Sequence, residues 1–359
     1  MKKQELFRSI APGLLPLIIL VIAEMIWGMM TGVIVVACFS ILELTWHLLR
    51  HKRFEKSILL DIGLMSILGI AAYFIEGEQL EKYKILFYMA LILVFVGISA
   101  FSNYNIAAAQ AGRYFKNLRI GPWGTLQMRQ TMKLMFWSIL IYTCATILAL
   151  SLLSENIGNF LGNTGIFIAF AVVFLIDFIR KRYLRQKMKD EEWLPIIDAA
   201  GKVIGHAPRF AVHNGKTRWL HPVVHLHIIQ KNGIWLQKRP MHKLVQPGKW
   251  DTAVGGHLDM GESIEKALVR ETHEEIGINI TNPVVLGQYL WESSLEREMV
   301  FSFALIYNGE IIPDSKELDG GRLWKFSEID ANLGKDVFTP NFEHEYRLFK
   351  EQFINLAIH

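Results

Sequence analysis

GHLDMGESIEKALVRETHEEIGI, residues Gly256 to Ile278, decides what the second half of this chain is. Glycines at Gly255, Gly256 and Gly261 permit tight turns, and Gly277 stands where a helix C-cap would fall. Between them the spacing predicts a helix over Ser263–Ile276. Ile264, Ala267, Leu268 and Glu271 share one face, with Glu274 and Glu275 one turn further along. Carboxylates at i, i+3 and i+4 repel one another by a few tenths of a kcal/mol per pair. Such an oxygen-rich cluster suits Mg²⁺ or Mn²⁺, hard cations that also bind phosphate oxygens. Glu262 lies near the helix N-terminus, where the dipole favours an anion. A solvated acidic helix accounts for Glu265, but not for the joint spacing of glycine, arginine and glutamate.

Working outward, His225–Gln230 and Ile234–Lys238 read as strands joined by Lys231-Asn232-Gly233, a hairpin signal. Trp250–Val254 reads as a strand entering the glycine turn, and Val300–Tyr307 as another, rich in β-branched and aromatic residues. Asn341–Leu356 closes the chain as an amphipathic helix. His225 and His227 read as strand residues satisfied by backbone hydrogen bonds, and Trp291 and Trp324 as core.

The Gly256–Ile278 pattern resembles the Nudix box of hydrolases that cleave a diphosphate linked to another group. The resemblance implies an α/β fold with a mixed sheet between helices. It implies Mg²⁺ or Mn²⁺ as the cofactor, with Glu271, Glu274, Glu275 and Gly255 as the metal set. Glu274 and Glu275 are the catalytic candidates, with Arg270 and Glu262 fixing the loop and helix. Thr272 stands where the pattern usually has an aliphatic residue. The order WLPIIDAAGKVIGHAPR, WLHPVVHLHII, LQKRP and GKWDTAVGGHLDMGES is similar to the branch that holds isopentenyl-diphosphate isomerase and its hydrolase-like relatives. That likeness puts Gly255 where the isomerase carries its catalytic cysteine, which argues against isomerase chemistry here. His257 falls where the isomerase has a metal-binding histidine, and His221 lies close to another. His257 and Glu317 are candidate substrate contacts.

Residues 1–189 are a different kind of sequence. Apolar runs fall at about 10–27, 29–49, 57–75, 84–101, 134–153 and 160–179, each near the ~20 residues a helix needs to cross a bilayer. Connections bearing Arg50, Lys52, Arg53 and Lys56, or Arg113, Lys116, Arg119 and Arg129, alternate with neutral or acidic ones. This asymmetry predicts six spans with both termini cytoplasmic at the inner (plasma) membrane. Glu24, Glu43 and Asp61 lie inside or near the spans, where an ionisable group raises a functional hypothesis. The stretches APGLLPLIIL and YKILFYMALILVFVGIS also resemble the intracellular septation protein A family, on apolar residues alone. The expected organisation is a six-helix transmembrane bundle over 1–180, a basic juxtamembrane linker over 181–192, and a cytoplasmic α/β domain over 193–359.

Residues 1–189 carry a net charge of +10 and residues 190–359 one of −6, giving the chain its +4. The basic excess belongs to the membrane-type half, so no nucleic-acid polymer is expected as a partner. Two cysteines, Cys38 and Cys144, both in apolar runs, predict no disulfide. Two functions remain: a membrane-anchored, metal-dependent diphosphate hydrolase acting on a nucleoside-diphosphate derivative or an isoprenoid or lipid diphosphate, or a membrane regulatory or transport protein whose domain senses a nucleotide.

Overall fold

A computed structural model describes residues 26–51, 78–102, 120–152 and 165–358, other than 244, 315 and 316, with scattered single positions elsewhere. The chain divides into two compact units, Met1–Lys187 and Met188–His359.

In the first unit four helices are described: α1 (Met29–His51), α2 (Glu78–Phe101), α3 (Pro122–Leu152) and α4 (Ile166–Lys187). They coincide with four of the apolar runs. Among the described residues one helix, α3, is long and apolar enough to cross a membrane, while Thr31–Trp46 and Ile92–Phe101 are apolar over shorter lengths. The expected six spans are thus represented here by one. The reason lies at the helix ends: α2 opens on the charged EQLEKYK and α4 closes on RKRYLRQK, so their apolar stretches are shorter than the helices. The runs at 10–27 and 57–75, with Glu24 and Asp61, lie largely outside the described residues. Most of the basic linker is helical, since α4 continues to Lys187. Next to it, Asp177 is buried, paired with Arg180 at 2.7 Å and Lys181 at 2.6 Å, and accepts a hydrogen bond from Thr131 Oγ1 on α3 at 3.0 Å.

The second unit is built on a mixed sheet. Strand β3 (His221–Gln230) runs parallel to β8 (Arg297–Ile306) and antiparallel to β4 (Gly233–Lys238) and β6 (Val254–His257). Beyond these lie β7 (Val284–Glu292) beside β8, and β5 (Trp250–Asp251) and β9 (Gly321–Lys325) beside β4. A separate hairpin, β1 (Trp193–Ile197) with β2 (Val203–Pro208), leads through the short α5 (Arg209–Val212) into β3. Because side chains alternate along a strand, β3 feeds two cores. Val224, Leu226 and Ile228 pack with Ala267, Leu268 and Ile276 of α6 (Ile264–Ile276). On the other face Ile229 joins Phe338 and, from α8 (Pro340–Ile358), Phe342, Tyr346, Phe349 and Phe353. Ile329 of α7 (Phe326–Asn332) completes that second layer.

The glycine-to-glutamate stretch folds as its spacing predicts. Ser263 is the N-cap of α6, its hydroxyl accepting from Lys266 N, and Gly277 takes the left-handed conformation at φ 70° that ends it. Thr272 is buried and bonds back to Leu268 O at 2.7 Å, which satisfies its hydroxyl where an aliphatic side chain is usual. The expected single strand Trp250–Val254 is a correction: it is broken into β5 and β6. Thr252 turns its hydroxyl onto Val254 O at 3.1 Å, and only from Val254 does the chain pair with β3.

Candidate active site

Strand β6 carries the site because its two glycines face opposite sides of the sheet. Gly256 faces α6: a Cβ there would fall 2.0 Å from the Glu271 carboxyl carbon, so the missing side chain is what lets Glu271 lie against the strand. Gly255 is exposed, and its N–H donates to Glu275 Oε2 at 3.3 Å. Burial, and then the neighbouring Glu271, push the Glu275 carboxyl up to about 8. Burial likewise raises Glu271, against the opposing pull of Arg270. These are two carboxyls crowded against backbone with too little water, the condition under which a divalent cation stabilises both.

Glu274 lies at the open edge of this group, sharing Arg270 Nη1 with Glu271. Its side chain is 56% exposed and sits on Arg270 at 3.2 Å. Arg270 is the organiser of the loop: Nε and Nη2 donate to Glu262 at 3.0 and 2.9 Å, Nη1 to Glu271 at 2.8 Å and to Glu274 at 3.2 Å, and Nη2 to the His257 carbonyl at 3.0 Å. Glu262 also accepts from Asp259 N at 2.9 Å, and the Arg270 hydrogen bonds hold its carboxyl below the usual range. Glu317 is placed by its salt bridge to Lys243 at 2.9 Å, and the two act electrostatically on Glu275 in opposite directions. The loop bearing Glu317 is tied to the end of α6 by Asp314 N donating to Glu275 O at 2.8 Å.

The second face of the sheet holds a cluster that the box pattern does not contain. His213, His221, His257 and Glu298 bring one ligand atom each to within 4.8 Å of one another. Four chain segments meet there: the end of α5, the start of β3, Glu298 opposite it on β8, and the end of β6. His221 Nδ1 lies 3.0 Å from the Trp219 carbonyl, which can only accept, so Nδ1 donates there and Nε2 faces the cluster. That Nε2 meets His213 Nε2 at 3.0 Å and Glu298 Oε1 at 3.6 Å. His257 Nε2 is buried with no hydrogen-bond partner, an orphan of the kind a metal would satisfy. Burial, then the neighbouring His221, holds His213 at about 4 and His257 well below the ordinary histidine range, so both imidazoles are neutral and able to ligate. Glu298 is held below the carboxylate range by His221 despite its burial, while burial and Glu298 raise Glu296 to about 7. The donor set of imidazoles and a carboxylate fits Mn²⁺ or Zn²⁺.

Of the residues chosen from sequence, the structure gathers Glu262, Arg270 and Glu271 in one network, and sets Glu275 against Gly255. It places His257 with His221 in the other cluster and leaves Glu274 at the exposed edge of the first. His213 and Glu298 were not foreseen: His213 lies between the WLPIIDAAGKVIGHAPR and WLHPVVHLHII stretches, and Glu298 two residues before the expected strand Val300–Tyr307. Two expectations need correction. His225 and His227 are not satisfied by backbone: Glu345 of α8 lies 2.9 Å from His225 Nδ1 and 3.2 Å from His227 Nε2. Trp324 is core, but Trp291 is only half-buried, at 5.8 Å from the His344 ring.

Comparison with known proteins accords with this geometry. The Nudix domain model matches residues 219–342. An uncharacterised Nudix hydrolase, orf19, of Rhodococcus erythropolis is 30% identical over 40% of this chain and 82% of its own. Isopentenyl-diphosphate Delta-isomerases of Mycolicibacterium vanbaalenii and Leifsonia xyli subsp. xyli are 30% and 36% identical, over 35% and 39% of this chain and 74% and 78% of theirs. The chain belongs to the Nudix family, enzymes that act on diphosphate-containing compounds.

Proposed function

We propose that this protein is a membrane-anchored Nudix hydrolase that cleaves the diphosphate linkage of a small-molecule substrate at the surface formed by β6 and α6. The observation that carries the reading is the pair Glu271 and Glu275 set against Gly256 and Gly255, with the Lys243 charge acting on Glu275. Glu271 and Glu275 would hold Mg²⁺ or Mn²⁺, which polarises a phosphoryl oxygen and offsets the charge of the leaving phosphate. The chain's own residues do the rest. Glu275, one oxygen on Gly255 N–H, would take the proton of an attacking water once a bound cation has displaced its own. The water oxygen bonds to phosphorus as the bridging P–O bond breaks, and the leaving phosphate departs as an anion. Lys243 and Arg209, the first paired with Glu317 and the second with Glu192 at 2.8 Å, supply cations that can exchange those carboxylates for phosphate. Glu192 also approaches His257 Nδ1 at 3.7 Å, which places Arg209 beside the histidine cluster.

Gly255 offers no thiol, and the two cysteines, Cys38 and Cys144, lie in the other unit. Isomerase chemistry of the kind named for the relatives is therefore not carried over. The membrane reading rests on α3 and on the exposed apolar side chains of the first unit, among them Leu49, Ile141, Leu152 and Phe174. Both termini in the cytoplasm at the inner membrane is the orientation we propose with it, on the alternation of basic and neutral or acidic connections in the sequence. The likeness to the septation protein A family adds no chemistry to it.

The test is phosphate release by the full chain in detergent with Mg²⁺, over a panel of nucleoside and isoprenoid diphosphates, against Glu275→Gln. Turnover abolished in the variant supports the assignment. Equal rates in both proteins sink it, and tight binding without turnover moves the function to nucleotide sensing.

A further inference from the structure

The first unit holds a polar assembly that the hydrolase site does not use. Where the start of α3 meets the end of α4, the buried Asp177 accepts from Thr131 Oγ1 and pairs with two cations of its own helix. Arg180 reaches from there across to α3. Its Nη1 donates to Gln130 Oε1 at 2.6 Å, and its Nη2 to Thr131 Oγ1 at 3.0 Å and Asp177 Oδ1 at 2.7 Å. Lys181 takes the other carboxylate oxygen at 2.6 Å. One carboxylate thus serves two cations, whose side chains are only 25% and 30% exposed. The two helices cannot close that balance, since they carry seven basic residues and no acid but Asp177. One positive charge is left over where water is partly excluded, a costly place for an uncompensated ion. One turn further into α4 from Asp177 and Lys181 stand Phe174 and Phe178, 59% and 53% exposed. A cationic end and bare apolar rings lie side by side.

We propose that this seam between α3 and α4 binds the phosphate of an anionic phospholipid, held by Arg180, Lys181 and Gln130, with its acyl chains along Phe174 and Phe178. The inference rests on the membrane reading above and goes beyond it by naming a built lipid site. Arg180 offers a planar fork of N–H donors, and Lys181 a compact charge, the two kinds of group that phosphate oxygens accept from. Because Gln130 Oε1 accepts from Arg180, the donors left on that exposed side chain are its amide N–H pair. Asp177 is the positioning residue. It draws both cations to the seam and neutralises one of them, so a single net positive charge remains. That matches the single negative charge of a phosphodiester. The exposed phenylalanines favour a lipid over a soluble phosphate, which has no chain to lay against them.

The experiment strips the full chain of lipid in a neutral detergent and offers it phosphatidylglycerol and phosphatidylcholine in mixed micelles. Lipid retained after desalting is counted by native mass spectrometry. Phosphatidylglycerol should be retained about fivefold or more over phosphatidylcholine. Arg180→Gln, Lys181→Gln and Gln130→Leu should each remove most of that preference, and Arg180→Lys should keep part of it. Arg182→Gln with Arg185→Gln, which takes exposed charge from α4 outside the seam, should leave it in place. Circular dichroism checks that each variant is folded. Equal losses in the seam and outer variants would reduce the preference to diffuse charge and overturn the site. So would displacement of the lipid by inorganic phosphate at constant ionic strength, or no preference in the parent. Alkaline carbonate extraction of the membranes tests the underlying reading separately. A chain released as soluble protein sinks both, whereas one that stays embedded without a lipid preference sinks this inference alone.

Discussion

Replacing Glu345 with glutamine removes one charge from the interior and almost no volume. Burial alone would push His225 down, but the Glu345 carboxylate, by charge and hydrogen bond, raises it to about 9 against an ordinary value of 6.5. At roughly 1.4 kcal/mol per unit of pKa, that difference corresponds to about 3 kcal/mol. The sign follows from linkage. A histidine whose folded value is raised contributes fully below pH 6.5, and the contribution fades as pH climbs through 9. Glu345, held far below its ordinary value by the two histidines, contributes in the opposite sense, its share being lost only in acid. The two shifts describe one interaction and are not added. Glu345→Gln should therefore unfold about 3 kcal/mol more easily at neutral pH. For a unit of this size that lowers Tm by roughly 6–12 °C. The gap between parent and variant should close between pH 7 and 10. Differential scanning fluorimetry of both proteins across that range, read as the difference in Tm, isolates the pair from other groups that titrate there. A drop under about 2 °C at pH 7, or a gap that stays constant to pH 10, would falsify the claim that a charged His225–Glu345 pair ties α8 to β3.

Four further outcomes are expected. Gly256→Ala forces the Glu271 carboxyl aside while leaving the fold intact, so turnover should fall at least a hundredfold with little change in Tm, as assayed by phosphate release and thermal melting. Arg270→Lys keeps a charge but cannot reach Glu262, Glu271 and the His257 carbonyl together; a loss of roughly 2 kcal/mol in chemical denaturation should result. Because Glu275 titrates near 8, Mg²⁺ binding must displace its proton at lower pH. Affinity measured by calorimetry should weaken by up to about tenfold per unit below that value, and a flat profile from pH 6 to 8 would count against Glu275 as a ligand. Finally, protein exchanged into Mn²⁺ or Zn²⁺ and desalted should retain an ion that His221→Ala loses and Glu275→Gln keeps, as read by elemental analysis.

The fold was legible where one segment carries its own period. Ser263–Ile276 announces its helix, its cap and its stop, and the hairpin at Asn232-Gly233 gives the β3–β4 register. The candidate site on α6 could be read because its residues are neighbours in sequence. His213, His221, His257 and Glu298 could not be assembled in that way: they come from four segments joined only by the parallel pairing of β3 with β8 and the antiparallel pairing with β6. Glu345 was hidden for the same reason. On an amphipathic helix an acidic residue reads as solvated, and nothing local says that His225 and His227 wait beneath it. Glu274, which helical spacing put beside Glu271 and Glu275, shares Arg270 Nη1 with Glu271 at the exposed edge of the group.

His257 has its imidazole in the histidine cluster and its carbonyl on Arg270, the residue that braces Glu262 and Glu271. The two groups of candidate ligands, on opposite faces of one strand, therefore share a single peptide. A ligand that shifts this peptide when it occupies one face changes the free energy of occupying the other, and thermodynamics requires that the influence be equal in both directions. An ion on the imidazole face would then be felt as a change in diphosphate affinity on the other, and diphosphate would change the retention of that ion by the same factor.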